Sequence, residues 1–511
     1  MENRKSGLSG KAARIALLAA FAALAVAYWT ACRMDGDSVY MIAEGRRILE
    51  AGAIPEEHGF LMYEGARVVI QQWIWCVLLA LADRAPMNLG LAAMVLGNAA
   101  LLFVLLRRRL GKGAPDVPPM LLDVAAYLLM WSVPRYSFSL RPEHVTLSLV
   151  LLQCAAMDAY RDTGHRRWLL APPLLMLLEA NLHSSMVIFH LCIWAAYLIK
   201  LPIPMADGDR IRPGPAVLAS IAATAAAAFL NPYGAAGAFY AFDSMESFSY
   251  VIVAEQQRTA IMTLPGLCLL AFIILSVTAA YRRMLPYRAL NICAGFGLLA
   301  ATSYHAAMFL PVAAAFLLQP MLSELDLRGV RKDVMDAVHA LGKPFALALA
   351  GALIMAVAIP VSIASELVAD VKSGPEDPAV EYLLSLPPGR TLNDANIGSK
   401  LEYLGLDNIW MDTRPEMGLV SFNGVKAVMP DCLYLAMCMA PADGSPEYES
   451  YGAWLDAEGI DYILNQDGIF TALGGWLEAS PDWEKHTFGA DGGTPSSHAV
   501  WTRKEAAPDA E

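Results

Sequence analysis

Two aspartates, Asp35 and Asp37, stand two residues apart in RMDGDSVYMIAEGRRILEAGAIPEEHGF, residues 33–60, directly after a long apolar run. Carboxylates this close can bind a divalent cation or tune one another's proton affinity, and the second property suits a general base. Each also has a plainer use. Asp37 precedes SVYMIAEGRRILEAG, in which Val39, Ile42 and Leu49 line one apolar face and Gly52 can end a helix, so its carboxylate can serve as the cap. Asp35 can be an ordinary solvated loop acid.

Further polar residues sit where apolar segments end. Arg141, in LRPEH, has the side chain best suited to grip a phosphate through two parallel hydrogen bonds. His183 and His305 can each donate to a leaving oxygen, or can simply bond to a neighbouring helix, the commoner fate of a buried imidazole. Asn181 can orient a bound hydroxyl group or end a helix. Asn231 and Gly234, in NPYG, have the composition of a turn. Acids near a bilayer centre cost about 2.5–3.5 kcal/mol on insertion scales, so Glu143, Glu179 and Glu255 each need water, a partner or a task. Glu255 is a candidate second acid above the site, and equally a solvated loop residue. Glu179, close to a helix end, is expected at a mouth.

The elements that must position these residues are apolar helices. Of 511 residues 57% are hydrophobic and 17% charged, with apolar runs from residue 13 to residue 366, which predicts an α-helical polytopic membrane protein. Residues 13–32 have the length of a span, with Arg4, Lys5, Lys11 and Arg14 at the N-terminal flank. A cleaved leader is the alternative, but the run is long and Trp29 is bulky for a processing site. Further helices are predicted near 88–106, 118–134, 142–158, 168–181, 184–200, 214–231, 260–281, 287–303, 305–320 and 344–366, with a shorter stretch at 72–84. If 72–84 does not cross, the basic segments at 107–112, 161–167, 200–212, 282–288 and 328–332 all fall on one side. This gives about eleven spans, and about twelve or thirteen by other counts, with a cytoplasmic N-terminus. The polar clusters at 33–71, 135–144, 179–183, 231–258 and 304–305 then emerge together on the extracytoplasmic face. The helix after Asp37 is expected to lie along the membrane surface.

The chain divides into a membrane module at 1–366, with 33–71 as its first external loop, a linker at 367–378, a soluble domain at 379–504 and a disordered tail at 505–511. In the soluble domain DPAVEYLLSL and IGSKLEYLGL have helical spacing, while NIWMDT, DYILNQ and HAVWTR read as short strands, so a small extracytoplasmic α/β domain is predicted. It has no phosphate loop or metal-ligand spacing and reads as accessory. Cys432 and Cys438 lie within it, as a disulfide or two buried thiols; the other six cysteines lie in apolar segments without ligand spacing. A net charge of −12, mostly after residue 366, points away from nucleic acid.

The stretch DGDSVYMIAEGRRILEAGAIPEEHGF followed by QQWIWCVLLAL resembles the first external loop of a bacterial group of GT-C superfamily glycosyltransferases. That group's pattern is an acidic pair, an aromatic stretch, Gly-Arg, Ile-Leu, Gly, Ile-Pro and Trp-x-x-Trp. SLRPEHVTLSLVLL, LLEANLHSSMVIF and FLNPYGAAGAFYAF are similar, in the same order, to its Arg-Pro, Asn-Leu-His and Asn-Pro-Tyr-Gly signatures. IWMDTRPEMG and EGIDYILNQ are similar to the soluble domain that often closes such proteins, so the resemblance spans almost the whole chain.

The resemblance implies a multi-pass enzyme of the bacterial cytoplasmic membrane, a hexosyl or pentosyl transferase acting in the cell envelope. It would move sugar from a polyprenyl-phosphate donor, with inversion, onto an extracytoplasmic glycan, lipid or protein acceptor. Asp35 or Asp37 would be the catalytic base, or would hold magnesium or manganese should the reaction be metal-dependent. Arg141, His183, Asn181, His305 and Glu255 would serve the donor's phosphate and sugar. The chain departs from the group's pattern at Ser38, Val39 and Tyr40, where an aromatic pair and a histidine are usual. It departs again at Glu255-Gln256 in place of Glu-Trp, and at Tyr304-His305 in place of Arg-Asn. Two other readings compete: a transporter or flippase of lipid-linked material, and a non-catalytic scaffold in envelope assembly.

Overall fold

The computed structural model describes residues 14, 17, 18, 21, 22, 36–85, 89–201, 210–245, 257–324, 377–414, 451–466, 468–488 and 496–504. Asp35, Glu255, Cys432, Cys438, the apolar run at 344–366, the linker up to residue 376 and most of the first apolar run lie outside them. The fold is mostly helical, with a small sheet near the C-terminus.

The helices are α1 (Gly36–Ala51), α2 (Trp73–Asp83), α3 (Leu89–Leu110), α4 (Pro119–Trp131), α5 (Glu143–Thr163), α6 (Ala171–Leu182), α7 (Val187–Leu198), α8 (Pro215–Ala227), α9 (Ala235–Met245), α10 (Leu264–Tyr281), α11 (Tyr287–Thr302) and α12 (Leu310–Glu324). Most of them follow the predicted apolar segments, and α1 follows Asp37 as expected, but α9 lies in none of those segments. Their lengths do not all follow. Among the described residues three helical runs are long and apolar enough to cross a membrane: Leu89–Leu110, Leu264–Tyr281 and His305–Glu324. Prolines and turns shorten others. The predicted 168–181 helix is a 3-10 turn at Arg166–Leu170 leading into α6, with prolines in its first turn, and His183 breaks it from α7. The largest core is built by α3, α4, α5, α7, α11 and α12, with Tyr136, Phe138, Trp194, Phe309 and Phe316 fully buried.

The C-terminal part contains α13 (Pro378–Ser385), α14 (Ala395–Tyr403), α15 (Tyr451–Ala457), α16 (Thr471–Ala479) and strands β1 (Thr391–Asn393), β2 (Tyr462–Gln466), β3 (Trp483–Thr487) and β4 (His498–Arg503). The strand order is β1-β2-β4-β3, with β1 parallel to β2 and the other pairs antiparallel. The predicted strand NIWMDT is an extended segment instead, bridging β1 and the first loop at Ile409.

That bridge changes the domain division. Ile409 N–H donates to the Phe60 carbonyl, Met62 N–H donates to the Ile409 carbonyl, and Leu61, Met62 and Ala66 enter the same core as Trp410, Leu455 and Val500. Burying each large apolar side chain here stabilises the joint by about 1.5–3 kcal/mol as an upper figure. The first loop and the C-terminal domain thus form one unit. Helix α1 is covered by protein on two sides, by α2 and by α14. Close approach is what Gly45 permits, since a Cβ there would sit 2.0 Å from the Cys76 carbonyl oxygen; a Cβ on Gly398 of α14 would sit 1.9 Å from that of Met411.

Candidate active site

The helix expected after Asp37 begins one residue earlier, at Gly36, so Asp37 lies in its first turn rather than at the cap. Its carboxylate is used elsewhere. One oxygen lies 2.7 Å from a guanidinium nitrogen of Arg141, in the turn before α5, and the other accepts from the Thr413 hydroxyl at 3.1 Å. Thr413 belongs to the C-terminal domain, and its hydroxyl is 3.2 Å from that of Ser399 on α14. Gly52 ends α1 as predicted, at positive φ.

Behind Arg141 the polar residues continue in a chain. Glu143 lies 3.8 Å from Arg141 and 4.0 Å from the His305 imidazole, which packs edge-on against Tyr136. Arg141 is 5% exposed while the Asp37 side chain keeps 28% of its exposure, so the acid is the more open partner of the pair. His183 meets the Thr146 hydroxyl at 3.1 Å, and that hydroxyl donates to Glu179 at 2.5 Å. Glu179 is fully buried, contrary to the expected mouth position, because Thr146 and His190 (3.2 Å) supply its partners and Gln153 bonds to His190 in turn. These contacts tie α5, α6 and α7 together.

Two predicted residues have structural employment. Asn181 accepts from the Trp73 indole and donates to the carbonyls of Leu177 and Leu230, each at 2.9 Å, which commits its amide to clasping α2, α6 and the turn after α8. Asn231 closes the NPYG turn by accepting from the Tyr233 N–H and donating to Ala228 and Gly234, and Tyr233 reaches the Pro55 carbonyl of the first loop. Gln71 pins the His183 turn through its carbonyl to Ser184.

A second cluster was not foreseen. Arg414, one residue beyond Thr413, donates to Glu44 of α1, to Glu402 of α14 and to Asp412, and its guanidinium covers the Tyr40 ring. His58 of the first loop lies 3.3 Å from Asp412 and 3.9 Å from Glu402. All are buried. The Arg414 charge holds the Asp412 carboxyl well below its ordinary range against the burial that opposes it. Burial pushes Glu402 upward and its neighbouring carboxylates add to the effect, with Arg414 opposing them. Burial, helped by Arg414, pushes His58 downward, so His58 is neutral. Spacing gave no signal of this knot, because its members come from residues 44, 58, 402, 412 and 414. The one cue is Glu44, an acid on the flank of a helix whose neighbours at 40–43 are all apolar.

His58, Glu402 and Asp412 have the residue types and closeness of a metal site, with donor atoms within 4.8 Å of one another. The surrounding bonds do not suit one. The His58 Nδ1 accepts from the Phe60 N–H at 3.4 Å, which leaves the proton on Nε2, facing Asp412. A metal-bound imidazole needs the reverse arrangement, and Arg414 already takes both carboxylates. At Asp37 likewise, a guanidinium and a hydroxyl hold the oxygens that an ion would need, so these residues do not fit a resident cation.

No family model matches the chain, and no curated protein matches it. What the site can do is therefore carried by its own residues.

Proposed function

We propose that the chain is a membrane glycosyltransferase of the GT-C type that moves a sugar from a polyprenyl-phosphate donor to an extracytoplasmic acceptor. The observation that carries this reading is the Asp37–Arg141 pair, a carboxylate and a buried guanidinium set against each other at helix ends. A polyprenyl phosphate keeps its tail in lipid and its phosphate at the interface, so a cation at the end of a helix bundle is the group that can hold it.

In this reading the donor phosphate takes the guanidinium of Arg141, which releases Asp37 from its ion pair. Losing a neighbouring cation raises a carboxylate's proton affinity, so donor binding prepares the base. The acceptor hydroxyl then attacks the anomeric carbon from the face opposite the phosphate. Asp37 takes the hydroxyl proton, the bond from the anomeric carbon to the phosphate oxygen breaks, and polyprenyl phosphate leaves on Arg141. His305, beside Glu143, is placed to donate to that leaving phosphate. Asp35 and Glu255 belong to the proposed site by resemblance alone, and Asn181 is left out of it because its amide is committed. The three long apolar helices support insertion in a bilayer. We place the chain in the bacterial cytoplasmic membrane, N-terminus inside, with the C-terminal domain outside.

One observation favours a second reading. Glu179 and His190 are fully buried and bonded to each other between α6 and α7, as ionisable residues are in proton-coupled transporters. The two readings separate in one assay. Purified protein is given a panel of radiolabelled polyprenyl-phosphate sugars and a crude acceptor extract, with and without divalent cation. A transferase releases free polyprenyl phosphate, and Glu179→Gln keeps that activity where the protein is folded. A transporter moves the intact donor across vesicles, releases no polyprenyl phosphate, and is stopped by Glu179→Gln.

A further inference from the structure

The proposed reaction makes no use of the row of buried polar side chains that ends at His183, in the turn between α6 and α7. The inner end of the row sets the direction of every bond in it. Gln153 donates through its amide nitrogen to the His190 carbonyl at 2.9 Å, so its Oε1 is the atom that faces His190 Nδ1, and that nitrogen carries a proton. His190 Nε2 meets Glu179 Oε2 at 3.2 Å. Whichever of these two holds the proton between them, Glu179 Oε1 is left as an acceptor, and the Thr146 hydroxyl donates to it at 2.5 Å. A hydroxyl has one proton to give. Thr146 therefore accepts from His183 Nδ1 at 3.1 Å, which places the His183 proton on Nδ1.

The row ends beside the proposed site. Thr146 stands one turn along α5 from Glu143, and Glu143 lies 3.8 Å from Arg141 and 4.0 Å from His305. Burial holds the His183 ring down at about 4, against the pull of Glu179 and with the charges of His305 and Arg141 adding to the effect, so His183 is neutral. A neutral imidazole with its proton on Nδ1 carries a lone pair on Nε2 and can only accept there. That Nε2 has no hydrogen-bond partner among the described residues, although His183 is buried. A lone pair is repelled by phosphate oxygens, so His183 does not fit the expectation that it donates to a leaving oxygen. It fits a hydroxyl.

We infer that His183 Nε2 accepts a hydroxyl of the donor sugar and so selects donors that present a hydrogen-bond donor at that place. The inference rests on the transferase reading: Arg141 takes the phosphate, and His183 reads the sugar next to it. Thr146, Glu179, His190 and Gln153 stand behind His183 as positioning residues that keep Nε2 unprotonated. Glu179→Gln still offers Thr146 an oxygen, so the row tolerates that change. A sugar without the hydroxyl leaves a buried acceptor unpaired, which is the kind of mismatch that a polar site penalises most.

The test measures binding to the full-length protein in detergent. The probes are polyprenyl phosphate, the polyprenyl-phosphate hexose that binds most tightly, and the monodeoxy and deoxyfluoro forms of that hexose. Wild type is expected to bind the deoxy form at one position about tenfold or more weakly than the parent, and the fluoro form at that position no better, because fluorine has no proton to donate. His183→Leu is expected to bind parent and deoxy forms alike. The nitrogen NMR spectrum of labelled histidine, with the His183 signal assigned from His183→Leu, should show an unprotonated Nε2 in wild type and a mixed proton position in Thr146→Val, a change that a merely structural threonine would not produce. Should either variant fail to fold, the wild-type panel decides. Equal binding of the parent and every deoxy form, a fluoro form that binds as well as the parent, or an unchanged preference in folded His183→Leu overturns the inference and leaves the transferase reading in place. Failure of wild type to bind both polyprenyl phosphate and the hexose lipids overturns the two together.

Discussion

Asp37 and Arg141 are joined at 2.7 Å across two helix ends, and Thr413 of the C-terminal domain holds the oxygen of Asp37 that Arg141 leaves. The domain read from sequence as accessory thus contributes a hydroxyl to the proposed base. Asp37 is held from three directions: by its own helix, by α5 and by the C-terminal domain.

Arg141 is expected to tolerate little. Arg141→Lys keeps the charge but loses the planar fork, so donor binding should weaken by about tenfold or more while the unfolding midpoint stays near wild type. Isothermal titration with polyprenyl phosphate measures it.

Thr413→Val removes the hydroxyl that Asp37 retains when Arg141 turns to the donor. Losing one such bond to a carboxylate raises its proton affinity, so the acid limb of the kcat profile should move to higher pH, and Thr413→Ser should restore it. A merely structural threonine would change the midpoint of unfolding and leave the profile in place.

The Arg414 knot is expected to hold the C-terminal domain on α1. Arg414→Ala leaves Asp412 buried without its cation and Glu44 with Arg47 alone, at 3.5 Å, and should cost about 3–5 kcal/mol, read by denaturant unfolding or by protease sensitivity of the first loop. Arg414→Lys should recover only part, since one ammonium cannot reach three acids in a plane.

Stability of the C-terminal domain and its joint with the first loop should depend on pH at both ends. Asp377, bonded to His498 and capping α13, falls to about 2 from an ordinary 3.8, and Asp412 is lowered too. Groups lowered by folding stabilise above their unfolded values, and that stability is lost as pH falls from about 4 toward about 2. His58, neutral when folded, adds to the loss below its ordinary 6.5, because only the unfolded chain takes up its proton there. Glu402 works in the other direction. Its raised value gives stability that is full below its ordinary 4.5 and declines as pH rises toward the folded value. Unfolding midpoints from pH 3 to pH 9 should therefore form a dome for wild type, and Glu402→Gln should flatten its alkaline side.

Much of the bundle was legible because an apolar run of helical length has few other outcomes, as α3 and α10 illustrate. Strands β2 and β4 were legible for the same reason, while β1 is three residues long and β3, WEKHT, buries only its tryptophan. The protein partners of α1 were not legible. Glu44 is buried because Arg414 reaches it, and since Arg414 lies far along the chain no periodicity carries that information. Asp37, Arg141, His183 and His305 were found by type and position, and the fold brings them near one end of the bundle. Asn181 was left between two uses, because an amide that clasps helices looks the same in sequence as one that binds a sugar, and the fold shows it bonded to Trp73, Leu177 and Leu230.

The most direct measurement is release of free polyprenyl phosphate by wild type and Asp37→Asn at saturating donor, with donor binding measured on the same samples. The account predicts turnover by wild type, unchanged after chelation of divalent cations, and a fall of about a hundredfold or more in Asp37→Asn with binding retained. Equal turnover by the two proteins, or none by wild type with any donor that it binds, would contradict it.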